Sequence, residues 1–181
     1  MTETRPLDPP SPLVERWAAA LAERMPASRR ALDVAMGRGR HASTLAGHGF
    51  RVFGVDRQHD AVRQAVSSAA SRGYRIRGWC ADLTVTELPK QFFDLVVVTR
   101  YLQRTLFPSL VETLAPGGAI LYETFTSEQL VFGRGPTSPD HLLRPGELPS
   151  YFGTLEMIFY EEVSAPDAVA RLVARNRSNR S

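Results

Sequence analysis

The sequence predicts an α/β fold: a doubly wound, mostly parallel sheet of seven strands with helices on both faces and an antiparallel C-terminal hairpin. Between residues 31 and 125, short β-type runs alternate with segments of helical periodicity, the order that builds parallel sheets. The fourth run, FDLVVV, is apolar at consecutive positions, as expected of a strand covered on both faces. With 181 residues, 43% of them hydrophobic, the chain is long enough for a single domain with its own core.

The first predicted element is a lead-in helix within residues 1–29. Ser11 is placed to cap it, Pro12 occupies the first helical position, and an apolar stripe of 3.6-residue period ends at Pro26. Five β-type runs follow, and helical segments succeed the first, second and fourth of them. In order, the β-type runs are ALDVA, RVFGVD, IRGWC, FDLVVV and GAILYETF, the last after a turn at 116–118, and the helical segments are 40–46, DAVRQAVSSAASRG and 106–114.

The C-terminal part differs from the alternating region. The runs TLEMIFYEEV and AVARLVAR have only SAPD between them, a connection short enough to predict a hairpin. Before them, residues 126–145 are rich in Gly, Pro and Ser and show no regular element, and a short helix is predicted over 146–152. Because long structureless connections in compact domains are functional or disordered, we expect 126–145 to be a lid. Phe132, Leu142 and Leu143 would supply apolar surface that closure buries.

Acidic residues and glycines mark the ends of three predicted strands. In ALDVAMGRGRHA, Asp33 ends the first strand, and Gly37 and Gly39 follow in the loop, where glycine lets a ligand approach the backbone. Asp56 closes the second strand and Asp82 follows the third. One such Asp is commonly a helix cap or a turn former. Three at successive strand ends indicate a ligand site, since ligands of doubly wound sheets bind there.

These motifs carry a family resemblance. LDVAMGRGRHA, GVD, ADL, FDLVVV and LAPGGAILYETF, in this order and spacing, resemble the motifs of class I S-adenosylmethionine-dependent methyltransferases. FGRGPTSPDHLLRPGELPSYF with a terminal hairpin resembles the small bacterial methyltransferases near the tellurite-resistance type. The resemblance implies a Rossmann-like methyltransferase fold, S-adenosylmethionine as cofactor and methyl transfer to a small-molecule acceptor. It implies these cofactor contacts: Asp33, Ala35, Gly37 and Gly39 around the methionine part, Asp56 with Arg57 at the ribose, and Asp82 with Leu83 at the adenine.

One position departs from the family pattern. The family's D-x-G-x-G-x-G reads D-x-A-x-G-x-G here, with Ala35 in the first glycine position. A positive φ would strain Ala35, whereas a strand-like Ala35 would only narrow the pocket. We expect the strand-like conformation.

Substrate contacts are expected after the fourth and fifth strands. Arg100 can neutralise an anionic acceptor or merely pair with Glu123, and the aromatic candidates can equally be packing residues. Tyr101 or His141 can act as a base for an O–H or N–H nucleophile, whereas a thiolate or chalcogen oxyanion needs none. The predicted catalytic residues are Tyr101 and His141, and the predicted substrate-binding residues are Arg100, Glu123, Phe125 and Arg144.

Two other functions fit parts of the pattern. Gly37, Gly39 and Ala42 satisfy G-x-G-x-x-A, and Asp56 is at a workable distance for the ribose of NAD. The acids at the first and third strand ends favour methyl transfer over NAD chemistry. A non-catalytic protein that binds the cofactor or a nucleotide is the remaining alternative.

Composition excludes further classes. Cys80 is the only cysteine, so an internal disulfide and a Cys-clustered zinc site are excluded, and the histidines lack paired metal-ligand spacing; no metal is expected. The net charge is +3, but the arginines are scattered apart from a basic tail at 175–181, which argues against a nucleic-acid partner. No apolar run is long enough for a membrane span, and we expect a cytoplasmic protein. The sequence leaves the acceptor and the oligomeric state open.

Overall fold

The computed structural model describes residues 7–177, and its seven strands form a single sheet in the order β3-β2-β1-β4-β5-β7-β6. The first five strands are parallel to one another. The predicted doubly wound sheet is therefore confirmed. The strands are β1 (Arg30–Val34), β2 (Arg51–Asp56), β3 (Ile76–Cys80), β4 (Phe93–Thr99), β5 (Leu114–Phe125), β6 (Glu156–Val163) and β7 (Val169–Arg175).

Helices cover both faces of this sheet. Residues 95 and 97 of β4 face one apolar layer while 96 and 98 face the other, and all four side chains are fully buried. The first layer lies under three helices and the second under a fourth helix together with a 3-10 helix at Leu148–Phe152. Within residues 7–177 the α-helices are α1 (Pro12–Ala22), α2 (Ala42–Gly47), α3 (His59–Ser71) and α4 (Phe107–Glu112).

The two C-terminal strands form the predicted hairpin. β7 pairs antiparallel with both β5 and β6, so that Glu123 of β5 lies opposite Arg171. β5 begins earlier than predicted, because the Pro-Gly-Gly sequence forms part of the strand beside a register shift between Phe93 and Leu95. Arg175 ends β7 and pairs with Glu156 at 2.8 Å. The basic tail predicted from 175 thus begins inside the sheet, and residues 178–181 lie outside the described chain.

The lead-in helix begins as predicted. The amide of Leu13 donates to Ser11 Oγ at 3.1 Å, which caps α1. The helix ends at Ala22, before the predicted stripe does, because the amides of the following residues bond three residues back and tighten the last turn. Residues 1–6 of the predicted lead-in segment are not among those that the structure describes. No helix within 7–177 has the length and apolar character to cross a membrane.

Segment 126–145 is not the structureless connection predicted. It contains 3-10 helices at Ser127–Phe132 and Pro139–His141, and Thr126 bridges Leu143 as a short parallel pair. Leu142 and Leu143 are already buried, so the expectation that they await closure is wrong. The physical reason is the bond between the amide of Ser127 and the carbonyl of Leu143, which folds the segment back on itself. Its exposed apolar residues are Leu130, Val131 and Phe132.

Candidate active site

The loop after β1 leaves the sheet through alternating left-handed residues. Ala35 has φ 51°, Gly37 has φ 53° and Gly39 has φ 77°. The strand-like conformation expected for Ala35 is therefore wrong: β1 ends at Val34, and the chain must turn for the amide of Met36 to donate to the carbonyl of Val55 at 3.0 Å. A non-glycine residue held in this region costs on the order of 1 kcal/mol, and such strain is found mainly at functional sites.

The two loop glycines serve different purposes. A Cβ on Gly37 would meet nothing within 4 Å, so this backbone borders open space. A Cβ on Gly39 would lie 2.8 Å from the Cβ of Ala65, so that glycine lets the loop pack on α3. The side chain of Met36 crosses the neighbouring strands, where a Cβ on Gly54 would lie 2.0 Å from its Sδ. Gly37 alone is thus free to face a ligand.

A buried polar cluster lies beneath this loop. Asp33 is 1% exposed, and its Oδ2 has no hydrogen-bond partner. Burial, offset in part by Arg40, raises the pKa of Asp33 to about 7. His41 accepts the Ser11 amide on Nε2 at 3.2 Å, with Nδ1 3.4 Å from Thr99 Oγ1, and burial lowers its pKa to about 3. His41 is therefore neutral with its proton on Nδ1, and Asp33 retains an unsatisfied oxygen.

The acids at the next two strand ends have defined partners. Asp56 accepts the amide of Gly37 on Oδ2 and that of Gln58 on Oδ1, both at 2.8 Å. These bonds hold the carboxylate at the loop, and each oxygen keeps a second lone pair. Asp82 is exposed and accepts the amide of Thr84 at 2.9 Å; hydrogen bonds from Thr84 lower its pKa. Leu83 beside it is buried.

Three cavities meet at this edge of the sheet. The first, of about 400 Å³, lies over the loop and is lined by Ala35, Gly37, Arg40 and His41 among others. The second, of about 450 Å³, joins most of the predicted nucleoside and catalytic residues, namely Ala35, Asp56, Arg57, Asp82, Leu83, Arg100, Tyr101, Phe125 and His141. The third, of about 740 Å³, runs between the segment before α1 and residues 166–171, and its lining includes Arg100, Glu123 and Phe125.

Arg100 is the residue that lines all three cavities. It follows β4 directly and has φ 54°, a second left-handed non-glycine residue in the site. Its amide donates to the carbonyl of Glu123 at 2.8 Å, but its guanidinium does not pair with Glu123. The carboxylate of Glu123 is buried and bound instead by Arg171 Nε at 2.6 Å. The strand register that sets Glu123 opposite Arg171 makes this pair.

The two predicted catalytic residues both line the second cavity. Tyr101 donates its hydroxyl to Gln103 Oε1 at 2.9 Å, and burial together with Asp82 raises its pKa. At neutral pH this phenol keeps its proton, which suits a donor rather than a base. His141 ends the 3-10 helix Pro139–His141 and is exposed. Arg104 holds that helix by donating to the carbonyls of residues 140 and 142.

Arg144 is the predicted substrate residue that the fold does not bring to this edge. Its side chain is 83% exposed, it pairs with Glu147 at 3.6 Å, and it lines none of the three cavities. Arg40, His41 and Thr99 were not predicted. Arg40 and His41 directly follow the second loop glycine in GRGRHA, and this position is the sequence signal that could have identified them as site residues.

A family of known proteins matches the chain where this site is built. The match is to the methyltransferase domain family, over residues 31–118, which includes the glycine loop and both following strand-end acids. These residues are just under half of the chain and match a methyltransferase domain. No curated protein matches the chain by sequence.

Solved structures share the fold of this chain at low sequence identity. An S-adenosylmethionine-dependent methyltransferase from Mesorhizobium loti has 20% identity and a TM-score of 0.67, covering 90% of this chain and 98% of its own. TehB from Haemophilus influenzae has 18% identity and a TM-score of 0.70, with 90% and 62% covered. The [4+2]-cyclase SpnF has 17% identity and a TM-score of 0.72, with 91% and 81% covered.

Proposed function

We propose that this protein transfers the methyl group of S-adenosylmethionine to a small-molecule acceptor, at the junction of the three cavities beside Arg100. The observation that carries the proposal is that two strand-end acids, Asp56 and Asp82, line the second cavity, which shares Ala35 and Arg100 with the cavity over the glycine loop. A third cavity opens from the same junction and provides space for a second molecule. Cavities of this size suit small ligands.

The described residues fit the cofactor. The unpartnered Oδ2 of buried Asp33 is an acceptor that an ammonium group would satisfy, and the guanidinium of Arg40 would suit a carboxylate. Asp56 has lone pairs left for the vicinal hydroxyls of a ribose. Asp82 and Leu83 would border the adenine in the second cavity. These assignments place the methionine part in the first cavity and the nucleoside in the second.

The bound sulfonium supplies an activated methyl group, whose carbon bonds to the nucleophile while the S–C electron pair stays on sulfur. The residues of the chain mainly position the acceptor in line and exclude water. Where the nucleophile carries a proton, His141 would accept it, since the raised pKa of Tyr101 keeps that phenol protonated. Tyr101 gives its one proton to Gln103 Oε1, so its hydroxyl oxygen would orient the acceptor by accepting a hydrogen bond.

A protein that binds the cofactor without transferring its methyl group is the second candidate. The fold is not confined to methyl transfer, because the [4+2]-cyclase SpnF has the same fold. NAD binding is the third, since its G-x-G-x-x-A pattern is present. The cytoplasmic location and the absence of a nucleic-acid partner also remain proposals. They rest on the apolar pattern of the sequence and on Arg175, which is part of an ion pair in the sheet.

Calorimetry with S-adenosylmethionine, S-adenosylhomocysteine and NAD tests the proposal. We expect micromolar binding of both sulfur ligands and much weaker binding of NAD. Transfer of a labelled methyl group from S-adenosylmethionine to small molecules of a cell extract then separates the enzyme from a non-catalytic binder. Tighter binding of NAD, or cofactor binding with no labelled product, would contradict the proposal.

A further inference from the structure

Arg100 is a cation without a directly bonded anion. Its guanidinium lies 3.7 Å from Asp8 and 3.9 Å from Asp167, both beyond hydrogen-bond distance. Within residues 7–177 its side chain makes no hydrogen bond. Its flat face lies 6.0 Å from the ring of Phe125, which also lines the third cavity. Two carboxylates thus lie within 4 Å of this charge, but the N–H donors of Arg100 are left for a ligand to bond.

The other two arginines on the far wall of the third cavity are neutralised within the protein. Arg134 binds Asp167 at 2.9 Å and so holds this carboxylate away from Arg100. Arg171 binds Glu123 at 2.6 Å and Glu161 at 3.0 Å. The two arginines that the third cavity shares with the first, Arg40 and Arg100, have no such short ion pair within residues 7–177.

Arg40 is the second of these two cations. Its bond to Thr99 Oγ1 at 3.3 Å joins it to a neutral partner, and no carboxylate of the described chain pairs with it. Burial lowers the pKa of Arg40, and the charge of Arg100 lowers it further. The carboxylate of the cofactor would neutralise Arg40 in the first cavity. Arg100 would then lie close to a cationic sulfonium, with carboxylates near it but, within residues 7–177, no acceptor bonded to its N–H groups.

We infer that the methyl acceptor is an organic anion whose carboxylate, or other oxyanion, binds Arg100 and whose apolar body lies in the third cavity. A guanidinium binds planar oxyanions through paired hydrogen bonds, and an anion placed there cancels repulsion between Arg100 and the sulfonium. Phe125, Val169 and four prolines give the cavity an apolar part of its wall, beside polar and charged lining residues, and this part suits an apolar body. This inference rests on the proposed function and names the substrate class of the same site.

The test measures binding to the full chain saturated with S-adenosylhomocysteine. Aromatic and aliphatic carboxylates are titrated by calorimetry, each beside its primary amide, such as 4-hydroxybenzoate and 4-hydroxybenzamide. We expect the acids to bind more tightly than their amides. Arg100→Gln should weaken acid binding about 10- to 100-fold, the usual effect of losing a charged hydrogen-bond partner, and leave amide binding nearly unchanged.

Variants of the neighbouring acid give an effect of the opposite sign. Asp167→Asn removes a carboxylate that competes for Arg100 and should strengthen acid binding, which a loss of folding cannot do. Arg134→Gln releases Asp167 toward Arg100 and should weaken acid binding. Arg63→Gln is the matched control, because Arg63 is an exposed residue of α3 paired with Asp60. This control should change neither acid binding nor amide binding.

The outcomes separate this inference from the proposed function. If S-adenosylhomocysteine does not bind, the proposed function fails. If it binds and no carboxylate binds at millimolar concentration, or acids and amides bind equally, the acceptor is not an organic anion and the proposed function stands. If Arg100→Gln also loses affinity for S-adenosylhomocysteine, its acid affinity no longer tests the inference. In that case an unchanged acid affinity in Asp167→Asn overturns the inference.

Discussion

The carboxylate of Glu147 fastens segment 126–145 to the body of the domain, and replacing its partner should destabilise the fold. Glu147 is only 6% exposed and accepts Arg104 Nε at 2.7 Å and Nη2 at 3.0 Å, the Tyr151 hydroxyl at 2.6 Å and the Arg144 amide at 2.7 Å. These bonds, chiefly those of Arg104, lower the pKa of Glu147 to about 2 from 4.5. At about 1.4 kcal/mol for each pH unit, the bonds together stabilise the ionised form by about 3 kcal/mol.

Arg104→Gln should therefore lower the free energy of unfolding at pH 7 by about 2 to 3 kcal/mol, because it leaves a buried carboxylate with only the exposed guanidinium of Arg144, 3.6 Å away, as a cation. The stabilisation is present above the pKa of Glu147 in the unfolded chain, near 4.5, and is lost as the pH falls toward 2. The deficit of the variant should accordingly shrink in acid.

Urea unfolding followed by circular dichroism at pH 7 and pH 3 measures both effects. Hydrogen exchange at pH 7 should show faster exchange across 126–145 in the variant. Lys90→Gln is the control: its pair with Glu112, at 2.9 Å, is exposed, so this variant should be nearly as stable as wild type. A variant as stable as wild type at pH 7, or a deficit that does not shrink in acid, would refute the reasoning.

Two further predictions follow from the loop and the second strand. Asp56→Ala should lower the affinity for S-adenosylhomocysteine by about 1.5 to 3 kcal/mol, measured by calorimetry beside the neighbouring His59→Ala; equal affinities of folded proteins would show that the ribose is held elsewhere. Ala35→Gly should stabilise the protein by up to about 1 kcal/mol in urea unfolding, because glycine adopts φ 51° without strain; a destabilised variant would contradict this.

Local pattern predicted most of the fold, and long-range contacts account for what it missed. FDLVVV was identified as a buried strand because its own residues carry the signal. The burial of Leu142 and Leu143 depends on partners far along the chain, such as Arg104 and Glu147, which are 43 residues apart in their ion pair. Such a pair leaves no periodic trace in the sequence.

The site shows the same division. The strand-end acids and loop glycines were found because their order reflects the topology of the sheet. The left-handed Ala35 was missed, since its conformation follows from a bond between Met36 and Val55 in another strand. His41 was missed because its partner, the amide of Ser11, lies 30 residues away.

The Met36 side chain has a consequence for how this sequence can evolve. It lies across two strands at positions where Gly54 and Gly78 have no side chains, and a Cβ at Gly78 would stand 3.1 Å from its Cε. A Cβ at Gly54 would collide with Met36, whereas a Cβ at Gly78 would first meet Val62 and Val66 of α3, at 2.9 and 3.0 Å. A small residue at 36 would leave both strands facing a void. A larger residue at 54 is therefore tolerated only together with a smaller one at 36, so that homologues should change these two positions together.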